Sequence, residues 1–132
     1  MGIDNIDLYA ATRNGIIVMN TPDVNTISAA EHTIAMILTL SRNISQGDYE
    51  LKKNEWNRHL LIGTELRNKT LGIIGLGKIG REVMSRSLPF GMKILGYDPF
   101  VNQKMFNSDE IRIVDLDAVS YTHLTLPTKR IV

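Results

Sequence analysis

Apolar positions along the chain fall into short continuous runs and longer stretches of helical spacing, separated by Gly, Asn and Pro. Leu8–Arg13 has helical spacing with an acid, Asp7, in front, and Asn14-Gly15 follows as a stop that tolerates left-handed geometry. Ile16-Ile17-Val18-Met19 is an apolar run ended by Asn20-Thr21-Pro22, which predicts a buried strand. The clearest helix spans 26–42. Ser28 and Glu31 have capping-box spacing, and Ala29, Ala30, Ile34, Ala35, Met36, Ile37, Leu38 and Leu40 lie on nearly every side. That pattern predicts burial on more than one face, and it suits equally a core helix or one between domains or subunits. A more polar helix is expected over 44–56, with Ile44, Leu51 and Tyr49 inward and Glu50, Lys52, Lys53 and Glu55 solvated. Trp56 is expected to anchor the next loop by packing. Thr70–Ile74 and 92–97 read as strands on either side of a helix over 79–88 with Ile79, Val83 and Met84 on one face. Strands alternating with helices predict an α/β fold with a parallel sheet.

The segment 70–98 carries the chemistry. Gly75-Leu76-Gly77-Lys78-Ile79-Gly80 fits G-x-G-x-x-G between the first strand and its helix, and Asp98 closes the second strand. A bare match to this motif is weak, but here the strand, helix and acid that it requires are all present. Gly75 permits the tight turn, Gly77 lets backbone approach a pyrophosphate, and Gly80 lets the helix pack close to the strand. The helix start offers N–H groups and a positive dipole end to phosphates. Asp98 stands where a carboxylate accepts from both ribose hydroxyls and repels a 2′-phosphate, so NAD is favoured over NADP.

Composition removes other classes. At 132 residues there is room for one domain. A formal net charge of +1 points to neither a nucleic-acid nor a membrane partner. With no cysteine there is no disulfide framework or thiolate metal site, which suits the cytoplasm. His32 has no partner at metal-ligand spacing and reads as structural, so no metal is expected. The apolar stretch 34–40 is too short to span a bilayer, and Met1-Gly2-Ile3-Asp4 resembles no secretion signal.

Gly2-Ile3-Asp4-Asn5-Ile6-Asp7, Asn20-Thr21-Pro22, Ser28-Ala29-Ala30-Glu31-His32, Gly63-Thr64-Glu65-Leu66, the glycine motif, Phe90-Gly91-Met92 and Tyr97-Asp98-Pro99 together resemble the NAD-dependent D-2-hydroxyacid dehydrogenases. The resemblance implies the first part of a Rossmann doubly wound parallel sheet, with a remnant of the family's substrate domain, and over 111–118 the family's next short strand and helix start, capped by Asp115 or Asp117. Residues 1–21 would be that remnant, 20–23 a hinge, and 22–118 the N-terminal part of the NAD-binding domain. It implies that Gly75, Gly77, Lys78, Ile79, Gly80 and Asp98 bind the cofactor, and it puts Asn25 in the loop approaching nicotinamide and substrate. Lys78 stands where many relatives have Arg, which preserves a backbone contact but not a bidentate phosphate contact. The substrate would be a small 2-hydroxy acid and the parent protein a homodimer through the long helix. The family's catalytic Arg, Glu and His fall beyond the matched segment, so no catalytic residue is assigned and the chain is expected to be inactive alone. The alternatives are a different 2-hydroxy acid substrate within the family, such as glyoxylate/hydroxypyruvate or D-lactate, and a non-enzymatic NAD-binding module like the related transcriptional corepressors.

Residues 119–132 do not continue the resemblance. Val119-Ser120-Tyr121-Thr122-His123-Leu124-Thr125-Leu126-Pro127-Thr128 reads as a translated transposon-type sequencing adapter, so this stretch is expected to be non-native. It also mimics a later family strand, but a parallel strand cannot follow without its crossover, and His123 is no catalytic candidate. With only the first strands of the sheet, the chain is expected to be marginally stable and prone to aggregate.

Overall fold

The structure, a computed structural model, describes residues 5–21, 24–101, 106 and 108–121. Its elements are α1 (Leu8–Arg13), α2 (Thr26–Ser41), α3 (Ile44–Lys52), β1 (Thr70–Ile74), α4 (Lys78–Ser87), β2 (Lys93–Tyr97), β3 (Ile111–Ile113) and α5 (Leu116–Tyr121), with 3₁₀ turns at Arg58–Leu61 and Leu88–Phe90. The strands form a parallel sheet in the order β1-β2-β3.

Side chains alternate across a strand, and this places helices on both faces of the sheet. A side-chain carbon at Gly80 of α4 would lie 3.5 Å from Ile73, whereas one at the adjacent Gly72 would lie 3.0 Å from Val119 of α5. Helices α4 and α5 therefore cover opposite faces, as in a doubly wound sheet. The core joins Ile73, Leu76, Val83, Met84, Met92, Ile94 and Ile113, and Ala30 brings α2 onto α4.

Local chemistry accounts for the boundaries. The Asp7 carboxylate accepts from the Ala10 N–H at 2.9 Å and starts α1. Gly15 takes φ +65° just beyond it. Leu88–Phe90 carries Pro89 and ends α4, and Gly91 at φ +69° turns the chain into β2. Gly63 lies so close to the end of α2 that a side-chain carbon there would be 2.5 Å from the Ser41 carbonyl, and the Thr64 N–H donates to that same carbonyl. Asp115 immediately precedes α5, and its carbonyl accepts from the Val119 N–H.

Several expectations fail. Residues 16–19 form no strand, and Ile16, Ile17 and Met19 are exposed, because no described strand lies beside them. The capping box does not form. Helix α2 starts at Thr26 with Asn25 at its N-cap, so Ser28 is already inside the first turn and its hydroxyl donates to the Asn25 carbonyl. Among the described residues, α2 is covered toward α4 and α3, while Ile27, Met36 and Leu40 are exposed. Helix α3 ends at Lys52; Lys52, Lys53 and Glu55 are exposed as expected, but the side it buries is not the expected one. Ile44, Tyr49 and Leu51 are exposed while Glu50 is buried. The side chain of Leu61 fills the space over Gly47, one turn before Glu50, so the 3₁₀ turn Arg58–Leu61 covers this side. Gln46 donates to Glu50 Oε1 at 2.8 Å; Oε2 has no partner among the described residues. Trp56 is exposed and anchors nothing by burial. Ile74 is exposed as well, and among the described strands β1 pairs with β2 alone. Gly2, Pro22, Asp23, which belongs to the expected hinge, and the tail from 122, including His123, lie outside the described residues.

Candidate cofactor site

Strand register builds the site. Ile74 of β1 pairs with Tyr97 of β2 at the carboxyl end of both strands, so Gly75 and Asp98 emerge side by side. The Gly75 N–H donates to the Tyr97 carbonyl at 2.7 Å, continuing the ladder one step into the turn. Gly75 then takes φ +95°, which a side chain would strain. The next peptide is held by Asp98, whose Oδ2 accepts from the Leu76 N–H at 2.8 Å while Oδ1 accepts from the Phe100 N–H at 2.8 Å. A carboxylate has about four lone-pair positions, so two such bonds leave acceptor capacity for the hydroxyls of a ribose.

The Leu76 side chain is fully buried over Gly96 of β2. A side-chain carbon at Gly96 would be 2.9 Å from Leu76 Cδ1, so Gly96 makes room for the residue that pins the turn. Gly80 meets the turn from the other side, with its missing side-chain carbon only 2.0 Å from the Gly75 carbonyl oxygen. Gly77, by contrast, faces open space: among the described residues, a carbon added there would meet no atom within 4 Å beyond its chain neighbours. It is the N-cap of α4 and has no side chain to cover the helix start, and the first intrahelical donor is Arg81, whose N–H bonds the Gly77 carbonyl at 3.0 Å. The turn thus presents open backbone beside a positive dipole end, which a side chain at Gly77 would begin to cover and which a pyrophosphate fits.

Of the other anticipated residues, Lys78 opens α4, and Ile79 is partly exposed while Val83 and Met84 are buried. Ile79 borders an apolar groove of about 380 Å³ between α2, β1 and α4, lined also by Thr33, Ile37, Ile74 and Val83. Asn25 is exposed at the start of α2, and its described hydrogen bonds are local, to Ser28 and Ala29. His32 is exposed, and no cluster of metal-binding side chains occurs among the described residues. A larger, polar hollow of about 640 Å³ lies at the opposite, amino end of the strands, among Lys69, Lys93, Arg112, Asp109 and Glu110, away from the glycine turn. Sequence reasoning missed Arg81, whose Nε donates to the Leu76 carbonyl at 2.8 Å and whose guanidinium lies over the Phe106 ring. It also missed Gly96. A glycine inside an apolar strand was the available signal for that close approach.

The family model described as "D-isomer specific 2-hydroxyacid dehydrogenase, NAD binding domain" matches residues 34–123. The chain belongs to this family. Among curated relatives, it is 49% identical over 117 residues to D-3-phosphoglycerate dehydrogenase of Synechocystis sp., covering 89% of this chain and 21% of that protein. It is 50% identical over 118 residues to the Homo sapiens protein of the same name, covering 89% and 22%. Among solved structures of the family, D-lactate dehydrogenase from Aquifex aeolicus, complexed with NAD and lactic acid, superposes with a TM-score of 0.75 at 37% identity, over 89% of this chain and 35% of that one. The chain spans about a fifth of the length of these curated relatives. The family match runs through Val119, which is buried against the sheet, to residue 123. No helix among the described residues is long and apolar enough to cross a membrane.

Proposed function

We propose that this chain is the cofactor-holding part of a D-3-phosphoglycerate dehydrogenase, which oxidises 3-phosphoglycerate to 3-phosphohydroxypyruvate with NAD at the entry to serine synthesis. The observation that carries the reading is Asp98, set beside the glycine turn by strand register and bonded to the Leu76 N–H. The roughly 50% identity to proteins of that name favours this substrate over other 2-hydroxy acids such as lactate or glyoxylate. In this reading Asp98 receives the adenosine ribose. Backbone at Gly75, Gly77, Lys78, Ile79 and Gly80 receives the pyrophosphate, and Asn25 faces the nicotinamide side. NAD, when bound, supplies the hydride acceptor; these residues bind and orient it. The acid and base for the alcohol lie elsewhere in the parent protein.

Residues 1–21 belong to the substrate domain and 22–118 to the NAD-binding domain, with 119–132 foreign to the gene. The parent is a cytoplasmic homodimer that uses the exposed apolar side of α2 around Ile27, Met36 and Leu40. Titration of the chain with NAD and NADP tests the site: NAD binding with NADP strongly disfavoured is expected, and equal affinity refutes the role of Asp98. Sequencing source DNA across codon 118 tests the boundary. A frame continuing into different residues supports it, and the same Val119-Ser120-Tyr121 codons in the source refute it. The continued gene product, assayed with 3-phosphoglycerate, D-lactate and glyoxylate, tests the substrate.

A further inference from the structure

We infer that Arg81 is a positioning residue that aims the Gly77 amide at the cofactor's pyrophosphate. The inference rests on the cofactor reading above and assigns a part to a side chain outside the glycine motif. Two consecutive peptide planes in the turn are held by two different side chains. The plane joining Gly75 to Leu76 is held through its N–H by Asp98 Oδ2, and the plane joining Leu76 to Gly77 through its carbonyl by Arg81 Nε, each at 2.8 Å.

A trans peptide is planar, with its carbonyl and N–H pointing to opposite sides. Holding the Leu76 carbonyl toward Arg81 therefore turns the Gly77 N–H away from Arg81. Among the described residues, a side-chain carbon at Gly77 would meet nothing within 4 Å beyond its chain neighbours, so the backbone at this amide is open to a ligand. The backbone itself leaves this plane freer than its neighbours, because glycine at 77 permits rotations that other residues forbid. Arg81 is in turn fixed at two points. Its own N–H bonds the Gly77 carbonyl at 3.0 Å, and its guanidinium lies 5.2 Å from the centre of the Phe106 ring, which packs on the core. Asp98 thus serves the ribose side of the turn and Arg81 the phosphate side.

The division of labour gives a test on the full chain with two probes, adenosine and ADP-ribose, measured by calorimetry or ligand-observed NMR. Adenosine reaches Asp98 but carries no phosphate; ADP-ribose carries both. In R81M, ADP-ribose binding is expected to weaken about fivefold or more, the worth of one hydrogen bond at a part-exposed site, while adenosine binding stays within about twofold. R81K, which keeps the charge and one donor, is expected to recover part of the loss. Unchanged ADP-ribose binding in R81M overturns the inference. So does an equal loss for both probes, which would make Arg81 a merely structural residue, or an R81K no better than R81M. If the unsubstituted chain binds neither probe, the cofactor reading itself falls, and this inference with it.

Discussion

Gly80 and Gly77 sit three residues apart in one motif yet are expected to fail in different ways when given a methyl group. In Gly80→Ala the new carbon would lie 2.0 Å from the Gly75 carbonyl oxygen and 3.1 Å from its carbon, where real side-chain carbons essentially never come within 3.0 Å of another atom. Neither partner yields easily. Gly75 is tied to Tyr97 by its N–H, and Leu76 is held by Asp98 and Arg81. Overpacking of this kind costs about 1–3 kcal/mol, and the clash with backbone places Gly80→Ala toward the upper end. Alanine's better helix propensity returns about 1 kcal/mol, leaving a net loss of about 1–2 kcal/mol. The helix start must also move relative to the turn, which would spoil the proposed amide–phosphate bonds, worth about 1.5–3 kcal/mol each. NAD affinity should fall about tenfold or more. Gly77→Ala meets no protein atom, and its φ of −67° suits any residue. Its stability should stay within about 1 kcal/mol of the parent, while NAD affinity falls as steeply because the methyl group covers the open backbone of the proposed pyrophosphate site. Urea denaturation and NAD titration of both variants separate the two effects. A Gly80→Ala chain of unaltered stability and affinity, or a Gly77→Ala chain destabilised as much as Gly80→Ala, refutes the reasoning.

Asp98→Asn replaces one of two acceptor oxygens with a donor, so either Leu76 or Phe100 loses its partner; NAD titration should show about tenfold weaker binding, and parallel NADP titration a narrowed preference for NAD. Gly96→Ala brings a carbon within 2.9 Å of Leu76 Cδ1 and 3.1 Å of Ile113 Cδ1. These side-chain ends can give a little, so the loss by urea denaturation should be about 1–2 kcal/mol, and larger for Gly96→Val. Asp7→Ala removes the cap of α1, far from the turn, and should cost about 1 kcal/mol by urea denaturation with NAD affinity unchanged.

What could be read from the residues was whatever depends on neighbours in sequence. Leu8–Arg13 with its Asp7 cap, and Thr70–Ile74 before the glycine turn, appear at the expected residues, because caps, turns and short apolar runs are local signals. The juxtaposition of Gly75 and Asp98 followed from a motif whose spacing encodes the crossover between two parallel strands. Residues whose environment is set by distant elements were misread. Ile16, Ile17 and Met19 are apolar enough for a strand but have no described strand to pair with. Glu50 looked solvated because charge says nothing about whether another segment lies on top of it, and Leu61 belongs to a turn with no periodic signature. Ser28 and Glu31 had capping-box spacing, yet α2 begins a turn earlier, so the spacing alone could not locate the cap. Arg81 escaped notice because one arginine on a helix is usually just solvated; only the direction of the Leu76 carbonyl gives it a role.

The pairing of Ile74 with Tyr97 also decides which changes in chain length this segment can survive. An insertion between α4 and β2, around the turn at Gly91, lengthens a connection and leaves both strand ends where they are. A single residue added inside β2 ahead of Gly96 does not. Strand faces alternate, so everything after it turns over. Leu95 would then arrive under Leu76 where Gly96 makes room, and Tyr97 would stand in place of Asp98. Natural variants and recombined genes should therefore tolerate insertions and deletions in that connection while holding the length of β2 fixed. In the proposed reading of the site, the number of residues in the second strand is as much a determinant of cofactor recognition as the acid at its end.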